Sequence, residues 1–358
     1  MSSDPLATPE NPPLAAVLAR RVLIHPMNSS LVKLVGAPLL AVAMLVSGCG
    51  KSSDSASSSA PGSPAKIRLA AVPKATTHSY WKAAEAGARR AAAEFNVQLE
   101  WQGPLDDSKV ADQIGIFNNL AASGVQGILL SPCDDKALAP HVRTAAKRGM
   151  PIAIFDSPLD AKQGTDYINF TATDNKAAGA TGAKKLAALI GSAPAHGGQV
   201  LVIRFTEGSA STRLREEGFL AELAATPGLK VAAQQFTDGS MAGAQRVAET
   251  LLGNYVKNNK LELAGIFASN QPTAEGTYNA IKALREKGVE ITGKFVGFDD
   301  STLLSQGLQN GVIDALVVQD PEKMGYLGVK SLVDHLAGRP VPAYTDTGVT
   351  VKTKDGSK

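Results

Sequence analysis

From Lys66 onward, short β-rich runs alternate with longer helical patterns, and this alternation limits the fold more than any other feature of the chain. The strand candidates are Ile67–Val72, Val97–Trp101, Gly127–Leu130, Ile152–Phe155, Tyr167–Thr171, Val200–Arg204, Lys230–Gln235, Gly265–Ala268, Lys294–Phe298 and Ile313–Val318. Many are apolar on both faces, as strands of a parallel sheet covered on both sides are. Helical patterns fill the intervals; in the first, Trp81, Ala84, Ala88, Ala92 and Phe95 share one face. Other helices should end on left-handed glycines at Gly124, Gly149 and Gly288. Crossovers of this length predict a doubly wound α/β architecture. The runs are too many for one comfortable sheet, and 358 residues with 44% apolar content can fill more than one core. Two doubly wound parallel-sheet lobes are therefore expected.

The first sixty-odd residues differ in composition. Leu31 to Val46 reads LVKLVGAPLLAVAMLV, apolar except for Lys33 and short for a membrane span. Val46-Ser47-Gly48-Cys49 follows and resembles the lipobox of bacterial lipoproteins, in which the signal is cut before a cysteine that receives lipid. That likeness implies lipidation at Cys49; the ordinary alternative is a plain signal peptide with a chance cysteine. Residues 1–26 do not fit an export signal, whereas Met27 would open a compact one, so translation is expected to start there. The Arg20-Arg21 pair is followed by His25-Pro26, which breaks the apolar run that twin-arginine export needs. Beyond Cys49, a Ser/Gly/Pro-rich stretch to residue 65 cannot bury apolar surface and reads as a flexible tether. The expected division is a leader over 1–48, a linker over 49–65, one lobe over 66–172 plus 320–347, and a second over 173–319 plus 348–354.

The net charge of +3, without a basic run, does not point to nucleic acid. Cys133 is the second of two cysteines and reads as a small buried strand-end residue; with Cys49 lipidated, no disulfide forms within the chain. The five histidines form no HxH or HExxH spacing, and no metal or cofactor is expected.

The ends of the strands carry the chemistry. Ile67–Val72 runs into Pro73-Lys74 and then His78-Ser79-Tyr80-Trp81, Gly127–Leu130 into Ser131-Pro132-Cys133-Asp134, and Ile152–Phe155 into Asp156-Ser157. Val200–Arg204 leads to a Gly-Ser loop and Arg213, Gly265–Ala268 to Ser269-Asn270-Gln271, Lys294–Phe298 to Asp299-Asp300, and Ile313–Val318 to Gln319-Asp320. Open α/β sheets bind ligands beyond the carboxyl ends of their strands.

Seven ordered segments, SPCDDKAL, GMPIAIFD, ATDNKAAG, TRLREEGF, FASNQPTAEG, FVGFDDS and VVQDPEKMG, make the body resemble the type I periplasmic sugar-binding proteins over roughly residues 66–352. The resemblance implies three crossings between lobes, a hinge that closes them over one monosaccharide, and no catalysis. It places Asp156, Arg213, Asn270, Asp299 and Gln319 as polar ligand contacts and Tyr80 and Trp81 as the aromatic pair that packs on the ring. Carboxylates, a guanidinium and amides suit adjacent hydroxyls, which both donate and accept. Ser157 stands where ribose binders place a second arginine, Lys74 and His78 occupy the first loop, and Asp238 falls near a usual aromatic. Lys74 with Asp156-Ser157 is similar to rhamnose and autoinducer receptors of the same superfamily.

Each candidate has a plainer reading. Asp299 can cap the helix near Ser301 and Asp174 the helix after it. Arg213 can pair with Glu216 or Glu217 on a helix surface. Trp81 lies on an apolar face and can be core alone. The function expected is an ABC-importer solute-binding lipoprotein for a monosaccharide or polyol. It would be a monomer at the periplasmic or outer face of a membrane, partnered by a permease and open to a chemoreceptor. The alternatives are a receptor for a rhamnose- or autoinducer-type signal molecule and an envelope sugar-modifying enzyme, for which no Gly-x-Ser-x-Gly elbow or phosphate loop is present. A transcriptional regulator of similar fold would need a helix-turn-helix where the lipobox stands.

Overall fold

A computed structural model describes residues 66–356. The leader, the start at Met27, the linker and Cys49 lie outside the described residues. The chain opens with β1 (Arg68–Val72), α1 (Ser79–Glu94), β2 (Gln98–Trp101), α2 (Val110–Ala122), β3 (Gly127–Leu130), α3 (Asp135–Lys147), β4 (Ile152–Phe155) and β5 (Asn169–Ala172). It then crosses to α4 (Asn175–Ile190), β6 (Gln199–Arg204), α5 (Ala210–Ala224), β7 (Lys230–Phe236), α6 (Met241–Gly253), β8 (Val256–Lys257), β9 (Lys260–Leu261) and β10 (Gly265–Ala268). After these come α7 (Gln271–Glu286), β11 (Glu290–Ile291), β12 (Lys294–Phe298), α8 (Thr302–Gln309) and β13 (Ala315–Gln319). A second crossing brings back α9 (Pro321–Leu336) and β14 (Tyr344–Asp346), and a third ends in β15 (Val349–Thr353).

Two six-stranded sheets result, ordered β14-β5-β4-β3-β1-β2 and β15-β13-β12-β10-β6-β7, with β8, β9 and β11 forming a small third sheet. The two large sheets share one winding and differ at one edge, where β14 is parallel to β5 but β15 is antiparallel to β13. Each is doubly covered, because alternate residues serve opposite cores. Leu69, Ala71, Leu129 and Phe155 pack beneath α1 and α9, while Ala70, Val72, Ile128 and Ile154 pack beneath α2 and α3. β3, β4 and β10 are buried throughout.

The helix pair on one face of each sheet crosses at glycines. A Cβ on Gly87 of α1 would lie 1.8 Å from the carbonyl oxygen of Glu322, and one on Gly179 of α4 would lie 1.8 Å from that of Arg215. Only a residue without a side chain allows such an approach. Gly124, Gly149 and Gly288 each follow a helix with φ between 80° and 82°, and Asp174 caps α4 by accepting from Ala177 N at 3.0 Å. Ser301, not Asp299, caps α8. The first and third crossings are tied together by Thr173 Oγ1, which donates to Gly348 O, and Asp174 N, which donates to Asp346 Oδ1.

Candidate binding site

The carboxyl ends of both sheets converge on one cavity lined by residues of both lobes. From the first lobe, the turn after β1 supplies Lys74 and His78, and the first turn of α1 supplies Tyr80 and Trp81, whose rings meet edge to face at 5.0 Å. β4 ends at Asp156. From the second lobe, α5 supplies Ser211, Thr212 and Arg215, the start of α7 supplies Asn270, Gln271 and Pro272, and β12 and β13 end at Asp299 and Gln319.

Two aspartates occupy matching places. Asp156 follows the fourth strand of its sheet, counted from the β2 edge, and Asp299 the fourth from the β7 edge. Both have left-handed backbones, at φ 62° and 69°, and each donates its N–H to the neighbouring strand, Asp156 to Thr171 O and Asp299 to Val317 O. Aspartate tolerates this conformation better than most residues, and such geometry recurs at functional sites.

Their surroundings differ. Asp156 accepts from Tyr80 Oη at 2.6 Å and Ser131 Oγ at 3.0 Å, with Lys74 Nζ at 3.4 Å. Asp299 accepts from Gln319 Nε2 at 2.7 Å and Gln271 N at 2.9 Å. Burial pushes the Asp299 carboxyl above its ordinary range, against the opposing pull of the Arg215 charge and the two hydrogen bonds. Burial, with Asp156 beside it, also holds the Tyr80 phenol well above its usual value, so it remains a hydrogen-bond donor.

Arg215 is 1% exposed; its guanidinium stacks 3.7 Å over the Phe298 ring and donates to Ser269 O and Asn175 Oδ1. Its Nε and the Oε1 of Gln319 are buried without a partner. A buried donor and a buried acceptor left open in one cavity are the complement of a hydroxylated ligand. Asn270 both lines the cavity and caps α7, accepting from Thr273 N.

The lobes touch across the cavity. Lys74 Nζ donates to Ser209 Oγ at 3.1 Å and Ser211 Oγ at 3.0 Å, Ser211 N donates to Ser157 Oγ, and Tyr80 N donates to Gln271 Oε1.

The structure gathers Lys74, His78, Tyr80, Trp81, Asp156, Asn270, Asp299 and Gln319 around the cavity and leaves three other candidates outside it. Arg213 faces the outer rim, where Nη2 reaches Asp135 Oδ2 of the other lobe at 2.7 Å. Two positions along a helix turn the side chain through about 200°, so Arg215 faces inward where Arg213 was expected. Asp238 is exposed and bonds Arg246 and Ser240 in the turn before α6. Ser157 is buried, but its hydroxyl serves the interlobe contact rather than the cavity. The sequence reading missed Asp107, Ser211, Thr212, Arg215, Gln271 and Pro272. Arg215 stands in the same TRLREEGF segment as Arg213 and needed only the helix phase; Asp107 stands in the polar loop after β2.

The sequence matches the periplasmic binding protein domain family over residues 69–340. The chain belongs to that family. A D-ribose/D-allose-binding protein of Pseudomonas aeruginosa is 25% identical over 291 residues, which is 80% of this chain and 87% of that protein. A carbohydrate transporter solute binding protein from Agrobacterium radiobacter, solved in complex with D-arabinose, is 34% identical with a TM-score of 0.74, covering 82% of this chain and 96% of that one. An ABC transporter solute binding protein from Agrobacterium vitis with bound D-fucose is 32% identical, also at TM-score 0.74, covering 80% and 96%. As in other periplasmic binding proteins of type I, two parallel-sheet lobes meet at the carboxyl ends of their strands.

Proposed function

We propose that the protein is the solute-binding component of an ABC importer, capturing a neutral monosaccharide or related polyol between its lobes and delivering it to a membrane permease. The observation that carries this reading is the polar lining of the cavity: the acceptors Asp107, Asp156 and Asp299 against the donors Lys74 and Arg215, with Asn270 and Gln319 and an aromatic pair alongside. Three carboxylates disfavour an anionic ligand, and a dense mixture of acceptors and donors matches adjacent hydroxyls. The Tyr80 and Trp81 rings offer apolar surface to the C–H side of a sugar ring. Ligand contacts from both lobes favour the closed arrangement, and the permease reads that shape. Lipidation at Cys49 would hold the protein at the periplasmic or outer face of a membrane.

A thermal-shift screen against D-arabinose, D-fucose, D-ribose, D-allose, L-rhamnose and sugar alcohols tests this reading. A ligand at 100 times its dissociation constant stabilises by about 2.7 kcal/mol. No shift with any sugar or polyol would sink the carbohydrate reading. Recovery of chemically altered sugar would favour an enzyme instead.

Lys74 supports one second reading, a receptor for a rhamnose- or autoinducer-type signal molecule, because its ammonium bridges Asp156 and the serines of the facing lobe inside the cavity. Binding of L-rhamnose or of an autoinducer-type signal molecule, with no response to the other sugars and polyols, would select it.

A further inference from the structure

Asp107 belongs to no segment that carries the family resemblance, yet it lines the cavity and is 8% exposed. Its Oδ1 accepts from Trp81 Nε1 at 3.2 Å and lies 3.9 Å from His78 Nδ1. Its Oδ2 accepts no hydrogen bond from the described residues. Oδ2 is not fully enclosed by protein, so it stands open to a donor from a ligand in the cavity.

The charges around the cavity fall into two groups. His78, Lys74 and Asp156 act on Asp107, whereas Arg215 and Asp156 act on Asp299. Asp156 is common to both, so the cavity has an Asp107 end with His78 and Lys74, and an Asp299 end with Arg215 and Gln319. The contacts that the resemblance implies cover the second end, Asp156 and Trp81, but leave Asp107 without a role.

We propose that Asp107 is a specificity-determining residue whose free Oδ2 accepts a hydrogen bond from one ligand hydroxyl at the Lys74–His78 end of the cavity. This rests on the carbohydrate reading above and deepens it. The ligand must carry a hydroxyl there: a hydrogen in its place leaves Oδ2 without a donor, and an acidic substituent meets a second negative charge. Oδ1 meanwhile holds the Trp81 indole in place, so one side chain orients the aromatic surface and reads the hydroxyl beside it.

Calorimetry on the tightest-binding sugar of the panel, and on each of its monodeoxy derivatives, tests the assignment in wild type, Asp107→Asn and Asp107→Ala. Asn keeps a carbonyl oxygen for Trp81 Nε1 and replaces the open acceptor by a donor. Wild type should lose roughly 10- to 100-fold in affinity for one particular deoxy derivative, the range of a charge-assisted hydrogen bond. Asp107→Asn should lose a similar factor for the parent sugar and little more for that derivative, the non-additivity of two changes to one contact. Unchanged affinity of both variants for the parent sugar would overturn the proposal. So would an equal loss for every derivative, which marks a structural role through Trp81. If no panel sugar binds wild type, the carbohydrate reading falls and this inference with it.

Discussion

Asp156 and Asp299 occupy equivalent ends of two similarly wound sheets with the same left-handed backbone, and they are held in opposite ways. Asp156 is surrounded by groups that depend on it: the Tyr80 and Ser131 hydroxyls and the Lys74 ammonium, all from its own lobe. Asp299 receives two amide hydrogen bonds and sits near Arg215, and its burial exceeds what those neighbours offset. One aspartate is built into its lobe. The other holds its charge at a cost, which a ligand hydroxyl could offset.

The largest expected effect separates the two. Asp156→Ala strands a buried cation and two hydroxyls, and should lower unfolding stability by roughly 3–5 kcal/mol as well as abolishing binding. Asp299→Asn should weaken binding at least 100-fold while leaving the stability of the ligand-free protein at pH 7 unchanged or higher. Denaturant unfolding with calorimetry checks both; equal stability losses would erase the distinction.

Arg215→Ala comes next. It removes two hydrogen bonds, the stacking on Phe298 and the positive charge near Asp299. The expected result is loss of measurable sugar binding and roughly 2–3 kcal/mol of stability. Gly179→Ala probes the same arginine from behind, since the added methyl must push α5 away from α4. Overpacking of this kind costs about 1–3 kcal/mol, and a displaced Arg215 should weaken binding beyond what the stability loss explains.

The pH dependence sharpens the comparison further. Burial raises the folded-state value of Asp299 above the unfolded value of about 3.9. Stability from this group is therefore full below the unfolded value and is lost as pH rises through the folded one. Binding runs the other way, because a hydroxyl donates to the ionised carboxylate. Affinity should fall on acidification at a pH above 3.9, the ordinary aspartate value, with proton release on binding near the midpoint. Calorimetry in buffers of different ionisation enthalpy reads that proton. Because burial raises Asp107 as well, Asp299→Asn should shift the midpoint rather than remove it.

Arg213→Ala carries the smallest effect. Its pair with Asp135 is partly exposed and crosses the lobes outside the cavity, so roughly 0.2–1 kcal/mol is at stake. Affinity should fall by a few-fold at most, equally for every sugar and less at high salt. A selective or far larger loss would mean that Arg213 reaches the ligand.

The two aspartates were legible in the sequence because each ends a short apolar run, and the rule that ligands gather beyond strand ends needs nothing more. All ten strand candidates have a counterpart in the fold, whereas β8, β9, β11, β14 and β15 escaped notice, being two- to five-residue strands without a continuous apolar run. The arginine was displaced by two positions. TRLREEGF offers two guanidiniums on one helix, and which of them faces inward depends on how α5 lies on α4 through Gly179, a contact between segments.

By itself, then, the alternation of apolar runs and helical patterns determined a pair of doubly wound sheets and the strand ends at which chemistry gathers, because periodicity and burial are properties of neighbouring residues. Tertiary structure alone decided that Arg215 turns inward while Arg213 meets Asp135, that Asp238 stays at the surface, and that Asp107 enters the cavity beneath Trp81. Those outcomes depend on helix phase and on loops brought together from opposite lobes, and no local pattern carries that information.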